Sequence, residues 1–212
     1  MSAGSNNALG GMRRFVRRNR PPERCELCGA ELTYEHPHLF EPRTRKLLCA
    51  CQACAILFAA QGAARYKRVP HRVRFLHSFQ LTDALWASLL IPINVAFFFE
   101  SSVAGRVIAL YPSPAGTPES QLPADAWNEM AEANPILTEM EADVEALLVN
   151  RLGQAHGYLE PEYYLLPIDE CYRLAGLIRA HWQGFSGGDG VWTELRTFFA
   201  GLKERAGVSC LT

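Results

Sequence analysis

The sequence predicts an α+β fold: an N-terminal treble-clef or zinc-ribbon-like metal module packed on a domain with a mainly antiparallel sheet and C-terminal helices. Three observations carry this. Two C-x-x-C pairs, Cys25/Cys28 and Cys51/Cys54, flank a segment of roughly ribbon length, the spacing of a tetrahedral structural metal site. Behind them, short apolar runs separated by turn residues read as β-hairpins. Two amphipathic segments with apolar residues at helical spacing close the chain.

The 212 residues, 49% of them hydrophobic, suffice for a small metal module plus a domain of ordinary size. The near-zero net charge hides a division. Residues 1–74 carry 14 Lys/Arg against 5 Asp/Glu, a net +9, and the remainder carries 7 against 17, a net −10. A basic front and an acidic back suggest internal electrostatic docking, two surfaces with different partners, or simply two solvated surfaces. The expected organisation is a disordered basic arm over 1–21, a four-cysteine metal module over 22–68 and an α+β domain over 69–207.

The arm has Arg13, Arg14, Arg17, Arg18 and Arg20 around Phe15 and Val16, as a solubilising tail or an arm that folds on an acidic partner. Pro21, Pro22 and cysteines follow it where an export signal needs an apolar stretch. The uncharged run 84–99 is broken by Pro92 and Asn94 and falls short of the ~20 apolar residues of a membrane span. The expectation is a soluble cytoplasmic protein without membrane contact. Thiols there stay reduced, which favours metal ligation over disulfides.

Cys25-Glu26-Leu27-Cys28-Gly29 reads as a zinc knuckle whose turn aims backbone N–H groups at thiolates, with Gly29 supplying the permissive angle. HLFEPRTRKLLC reads as a hairpin turning near Pro42 to Thr44. After Cys51, Ala53, Ile56, Leu57, Ala60 and Ala64 recur at helical spacing up to Tyr66. Knuckle, hairpin, then a second knuckle opening a helix is treble-clef order; a plain ribbon would have a strand there.

In the second domain, residues 72–79 read as a strand with Val73, Phe75 and His77 opposite Arg72, Arg74 and Leu76. Thr82 caps a short helix that Pro92 stops. Residues 93–100 and 106–111 form a hairpin around Gly105. Its Val95, Phe97 and Phe99 oppose Ala96 and Phe98, so both faces are apolar and the strands should be central, covered on both sides or lying at an interface, including one between copies of the chain. A proline-rich loop leads to a helix over 125–133. The next segment is ambiguous: Leu137, Met140, Val144, Leu147 and Leu148 fit a helix, whereas Glu139, Glu141, Asp143 and Glu145 alternate as on an exposed strand. Residues 145–151 and 163–168 read as antiparallel neighbours, and helices are expected over 169–182, with Leu174, Leu177, Ile178 and Trp182 inward, and 189–205, with Val191, Trp192, Leu195, Phe198, Phe199 and Leu202 inward.

The principal chemical candidates are Cys25, Cys28, Cys51 and Cys54 as ligands of Zn, whose binding contributes on the order of 10 kcal/mol to folding so small a module. Cys49 makes the second pair a C-x-C-x-x-C, so a different four of the five cysteines, or an iron–sulfur cluster, is the alternative. Cys49 as a small apolar residue pointing away from the metal is the plainer option. His36 and His38 flank Pro37 and can share one face of an extended segment. They are candidate substitute ligands, a second metal site or catalytic bases.

Two C-x-x-C pairs around a central histidine on a treble clef resemble the HNH nucleases, in which the histidine activates water and further His or Asn residues hold a metal. The likeness breaks at Ala55-Ile56-Leu57-Phe58, which supplies no His or Asn, and at Glu35, which lacks the usual following pattern. The glycine-rich 182–190 segment follows a helix and lacks a G-K-[ST] ending, so it reads as a helix-to-helix turn with Asp189 as N-cap. Cys171 reads as a buried structural thiol and Cys210 as part of a tail.

RRFVRRN, CELCG, EHPHLFEPRTRKLLCACQAC, YKRVPHRV, IPINVAFFFESS, GRVIALYPSPAG, EALLVN and EYYLLPIDECYRLAGLIRAHWQGFSGG together resemble an uncharacterised bacterial family encoded near actinobacterial-type, oxygen-tolerant [NiFe] hydrogenases, over residues 13–206. The resemblance implies an accessory role in hydrogenase assembly, maturation or complex formation, with hydrogenase subunits or maturation proteins as partners. It marks no residue as catalytic. The expected function is therefore a non-enzymatic zinc-binding accessory protein; the alternatives are a nucleic-acid-binding zinc finger using the arginine arm, and an iron–sulfur or redox protein.

Overall fold

The computed structural model describes residues 22–59, 65–153, 160–182 and 188–209. The arginine arm, Ala60, Ala64, residues 183–187 of the glycine-rich segment and Cys210 lie outside them; the last helix begins at Gly188, so Asp189 lies inside it and is not its N-cap. Among the described residues the chain forms a small sheet beside a larger one.

The small sheet comprises β1 (His38–Glu41), β2 (Lys46–Cys49) and β3 (Lys67–Arg68), in the order β2-β1-β3. β1 and β2 are the expected hairpin, with His38 opposite Cys49 and Glu41 opposite Lys46. Arg45 closes the turn at φ +56°, donating its N–H to Glu41 O at 2.8 Å. The two-residue β3 was not foreseen; it pairs with β1 through Leu39–Arg68 and Phe40–Lys67.

Helix α1 (Gln52–Ala59) follows β2. It is helical as expected, but the residues that recur at helical spacing are not its buried face: Ile56 and Leu57 are 55% and 60% exposed, Ala53 is exposed, and Cys54 and Ala55 are buried. The reason is compositional: QACAILFA is apolar all round, so periodicity cannot choose a face, and the cysteine at its start fixes the rotation. Tyr66, taken as the end of this helix, lies outside it.

The larger sheet contains β4 (Arg74–Phe75), β5 (Val95–Ser101), β6 (Arg106–Leu110), β7 (Glu119–Ser120), β8 (Glu145–Asn150) and β9 (Glu162–Pro167), in the order β4-β9-β8-β5-β6-β7. Every pairing is antiparallel. Helices α2 (Asp83–Ser88), α3 (Ala124–Ala133), α4 (Ile168–His181) and α5 (Gly188–Ser209) flank it, with a 3₁₀ turn at Pro135–Glu139. Thr82 caps α2 as expected, its Oγ1 accepting the Leu85 N–H at 3.1 Å.

Strand alternation divides the core into two layers. Val95, Phe97 and Phe99 of β5 join Ile108, Leu148, Tyr164 and the inner faces of α4 and α5. Ala96 and Phe98 join Ala109, Leu147, Val149 and the α2 and α3 side, including Trp86 and Met130. The apolar character of both faces of β5 is thus explained by helices on each side, without an interface. Cys171 is fully buried on α4.

Two strand expectations are corrected. The strand read over 72–79 shrinks to Arg74–Phe75, paired to β9 at the sheet edge. The alternating acids are not all exposed: Asp143 is 0% and Glu145 4% exposed. Asp143 takes its partners from distant segments, and Glu145 takes one from within its own. Asp143 Oδ1 accepts the Ser102 N–H at 2.8 Å and Oδ2 pairs with Lys67 at 2.8 Å, while Glu145 accepts the Glu141 N–H at 3.0 Å. Asp143 adopts φ +73°, a conformation in which its short side chain is among the best tolerated.

The small sheet docks through the face that carries His38 and Phe40. Phe40 is fully buried in the α4/α5 core layer, 6.5 Å from the ring of Tyr172 on α4. The adjacent Leu39 points the other way, into a third cluster with Cys25, Leu48, Ala50, Cys54 and Ala55. Around this junction the charge skew becomes specific: Lys67 pairs with Asp143, Arg45 with Glu119 at 3.1 Å and His38 with Asp169 at 2.7 Å. Among the described residues no helix is long and apolar enough to cross a membrane.

Candidate metal centre

The first C-x-x-C pair sits on a tight turn. Gly29 N–H donates to Cys25 O at 2.8 Å and Cys25 N–H to Ala30 O at 2.8 Å, with Gly29 at φ +77°. That angle costs a glycine little and an L side chain more, which is why the residue after the second cysteine is glycine. The turn is strapped to the end of β2 by Glu26, whose N–H donates to Cys49 O at 2.9 Å. Its carboxylate accepts from Cys49 N–H at 3.1 Å and pairs with Lys46 at 2.8 Å. The second pair spans the entry to α1: Cys54 N–H approaches Cys51 Sγ at 3.4 Å and Ala55 N–H donates to Cys51 O at 2.9 Å.

These two turns bring Cys25, Cys28, Cys51 and Cys54 together, with all four sulfurs within 4.8 Å of one another. Cys28 and Cys51 are 3.7 Å apart, close to the roughly 3.8 Å that Zn–S bonds of about 2.3 Å subtend in a tetrahedron. None of the four cysteines is in a disulfide. Cys25 and Cys54 are buried, and Cys28 is exposed, so the site lies under the module's surface with one edge open.

The electrostatics call for a cation. Burial alone would push the Cys25 thiol up, but the backbone N–H groups of Cys51, Leu27 and Cys28 outweigh it and bring Cys25 down to about 6. Burial, then the neighbouring Cys51, Cys28 and Cys25, push Cys54 up to about 12. One thiolate forms readily at Cys25 beside Cys28 and Cys54, whose thiols are held up, and a positive ion offsets that resistance. The cluster can hold a metal ion through four protein ligands.

Cys49 is not in this group. It is the last residue of β2, directly across from His38, and on that side its neighbours are His38 and His36. The three offer ligand atoms within 4.8 Å of one another. The imidazoles meet edge to face with centroids 5.0 Å apart, as their spacing on an extended segment suggested. Two partners of these histidines escaped sequence reasoning. His36 Nδ1 bonds to Thr33 O at 3.0 Å and His38 Nδ1 to Asp169 Oδ2 at 2.7 Å. Asp169 is 131 residues from His38 in sequence, and no local pattern marks it. The departure from the HNH arrangement persists in three dimensions: α1, which carries Cys54, has no His or Asn on it.

Residues 24–206 match the model of a family of unknown function, DUF5947, and the chain belongs to that family. No curated protein and no solved structure matches the chain.

Proposed function

We propose that this member of the DUF5947 family is a zinc-binding accessory protein of the cytoplasm, which acts through the surfaces its metal module holds in place and not by catalysis. The observation that carries the reading is the set of four sulfurs within 4.8 Å, all supplied by the chain. Four protein ligands complete a tetrahedral sphere and leave no position for a substrate, the arrangement of structural zinc sites. An iron–sulfur cubane would give each cysteine its own iron and spread the sulfurs further than one shared ion does, so the compact set favours a single ion. The docked hairpin supports a scaffolding role for that ion: Leu39 packs beside the cysteines while Phe40 enters the core of the larger domain.

The partner follows from the resemblance described above: a hydrogenase subunit or one of its maturation proteins. Anaerobically purified protein should be colourless with zinc as the metal of the cysteine site, and Cys25→Ser should lose that zinc. Iron with visible absorption replaces the zinc reading with the redox one. For the accessory role, affinity-tagged chain expressed with the hydrogenase operon should retain hydrogenase subunits or maturation proteins. A chain that retains none, and whose deletion leaves hydrogenase maturation unchanged, refutes it.

A further inference from the structure

We infer that the chain carries a second metal site, formed by His36 Nε2, His38 Nε2 and Cys49 Sγ, which takes a late first-row divalent ion on three protein ligands and leaves a fourth position open. Strand geometry puts the three together. His36 and His38 are two apart on an extended segment and face one way, and Cys49 is the cross-strand partner of His38. One ring nitrogen of each histidine and the Cys49 sulfur lie within 4.8 Å of one another, and tetrahedral Zn–N and Zn–S bonds need separations of about 3.3–3.6 Å, a difference that small side-chain rotations cover.

The tautomers are fixed for ligation. A backbone carbonyl and a carboxylate only accept, so His36 Nδ1 donates to Thr33 O and His38 Nδ1 to Asp169 Oδ2. In each neutral ring that leaves the lone pair on Nε2. Metal-binding histidines are held this way, one nitrogen on the ion and the other donating to a carboxylate or carbonyl. A histidine buried only for packing does not account for His36. Its side chain is 7% exposed, yet Nε2 has no hydrogen-bond partner; Glu23 Oε2, the nearest charge, is 3.8 Å away. A buried acceptor of this kind calls for a ligand.

Imidazole and thiolate together suit zinc, cobalt, nickel and copper and disfavour magnesium and calcium. Binding releases the Cys49 thiol proton to solvent. With one thiolate on a divalent ion, the site keeps a single positive charge, offset by Asp169 and Glu23. Unlike the four-cysteine site it is coordinatively open, so its ion exchanges and takes an external fourth ligand. It lies where the small sheet meets α4, with Asp169 on that helix. The inference does not depend on zinc at the four cysteines or on a hydrogenase partner.

The test is anaerobic titration of the as-purified full chain with Co2+, following the absorption spectrum and the release of any metal already bound. The expected result is one equivalent of Co2+ taken up without release of the resident ion, with thiolate-to-cobalt charge transfer in the near ultraviolet and tetrahedral bands in the visible. Cys49→Ser should lose the charge-transfer band, His36→Gln should lose the equivalent, and Asp169→Asn should weaken binding about 10–100-fold. Each variant should keep the resident ion and the far-ultraviolet circular dichroism of the parent, which separates a lost site from a lost fold. Uptake only by displacement of the resident ion overturns the second site. So does an extra equivalent that persists with unchanged spectrum in both Cys49→Ser and His36→Gln.

Discussion

Phe40→Ala tests how the metal module is attached. Phe40 belongs to the small sheet by chain position but to the α4/α5 core layer by packing, fully buried near Val69, Val73 and Tyr172. Truncating a buried phenylalanine costs about 3–5 kcal/mol, a large part of a typical domain's total stability of about 5–15 kcal/mol. All four tryptophans, Trp86, Trp127, Trp182 and Trp192, lie in the larger domain, so their fluorescence in urea reports that domain, and metal release to a chromophoric chelator reports the module. With a urea dependence of about 2–3 kcal/mol per molar, the tryptophan midpoint should fall by about 1–2 M. Leu39→Ala, one residue away but pointing into the cysteine cluster, should chiefly hasten metal release. If Phe40→Ala leaves the tryptophan midpoint within experimental error while metal release accelerates, the ring contributes to the module alone and the docking described here is wrong.

Two further predictions concern the charges at the junction. Lys67→Met should destabilise the chain by about 2–3 kcal/mol in urea melts, because the buried Asp143 carboxylate loses its ion pair and keeps its bond from Ser102 N–H; an unchanged midpoint would show that this carboxylate needs no counterion. Glu119 is held below the ordinary carboxylate range: burial opposes its ionisation, but the ion pairs with Arg106 at 2.7 Å and Arg45 at 3.1 Å outweigh it. A folded pKa below the unfolded one gives stability that is present above the unfolded pKa and lost as pH falls through the folded one. Glu119→Gln should therefore lose less stability than the parent between pH 7 and about pH 4, and equal losses in urea midpoint would refute it.

What the sequence determined by itself is whatever its local spacing encodes. The two C-x-x-C turns, the β1–β2 and β5–β6 hairpins and the Thr82 cap follow from residues within a few positions or one turn of each other, and the pairing of β8 with β9 follows from two apolar runs that are neighbours in sequence. The four-cysteine group is legible for the same reason, since two local turns need only one hairpin to bring them together. Tertiary structure decided the rest. The face of α1 was undetermined because the helix is apolar all round and only its attachment through Cys54 orients it. Asp143 and Glu145 looked exposed because acidic residues usually are, and burial depends on partners such as Lys67, which lies beyond any local window. Cys49 sits in sequence beside two cysteines of the four-sulfur cluster, yet strand pairing places it with His38 and His36, and Asp169 arrives from 131 residues away to hold the His38 ring. Spacing along the chain names which side chains have the chemistry to bind a metal. Pairing and packing decide which of them share an ion, because a ligand set is defined by distance in space.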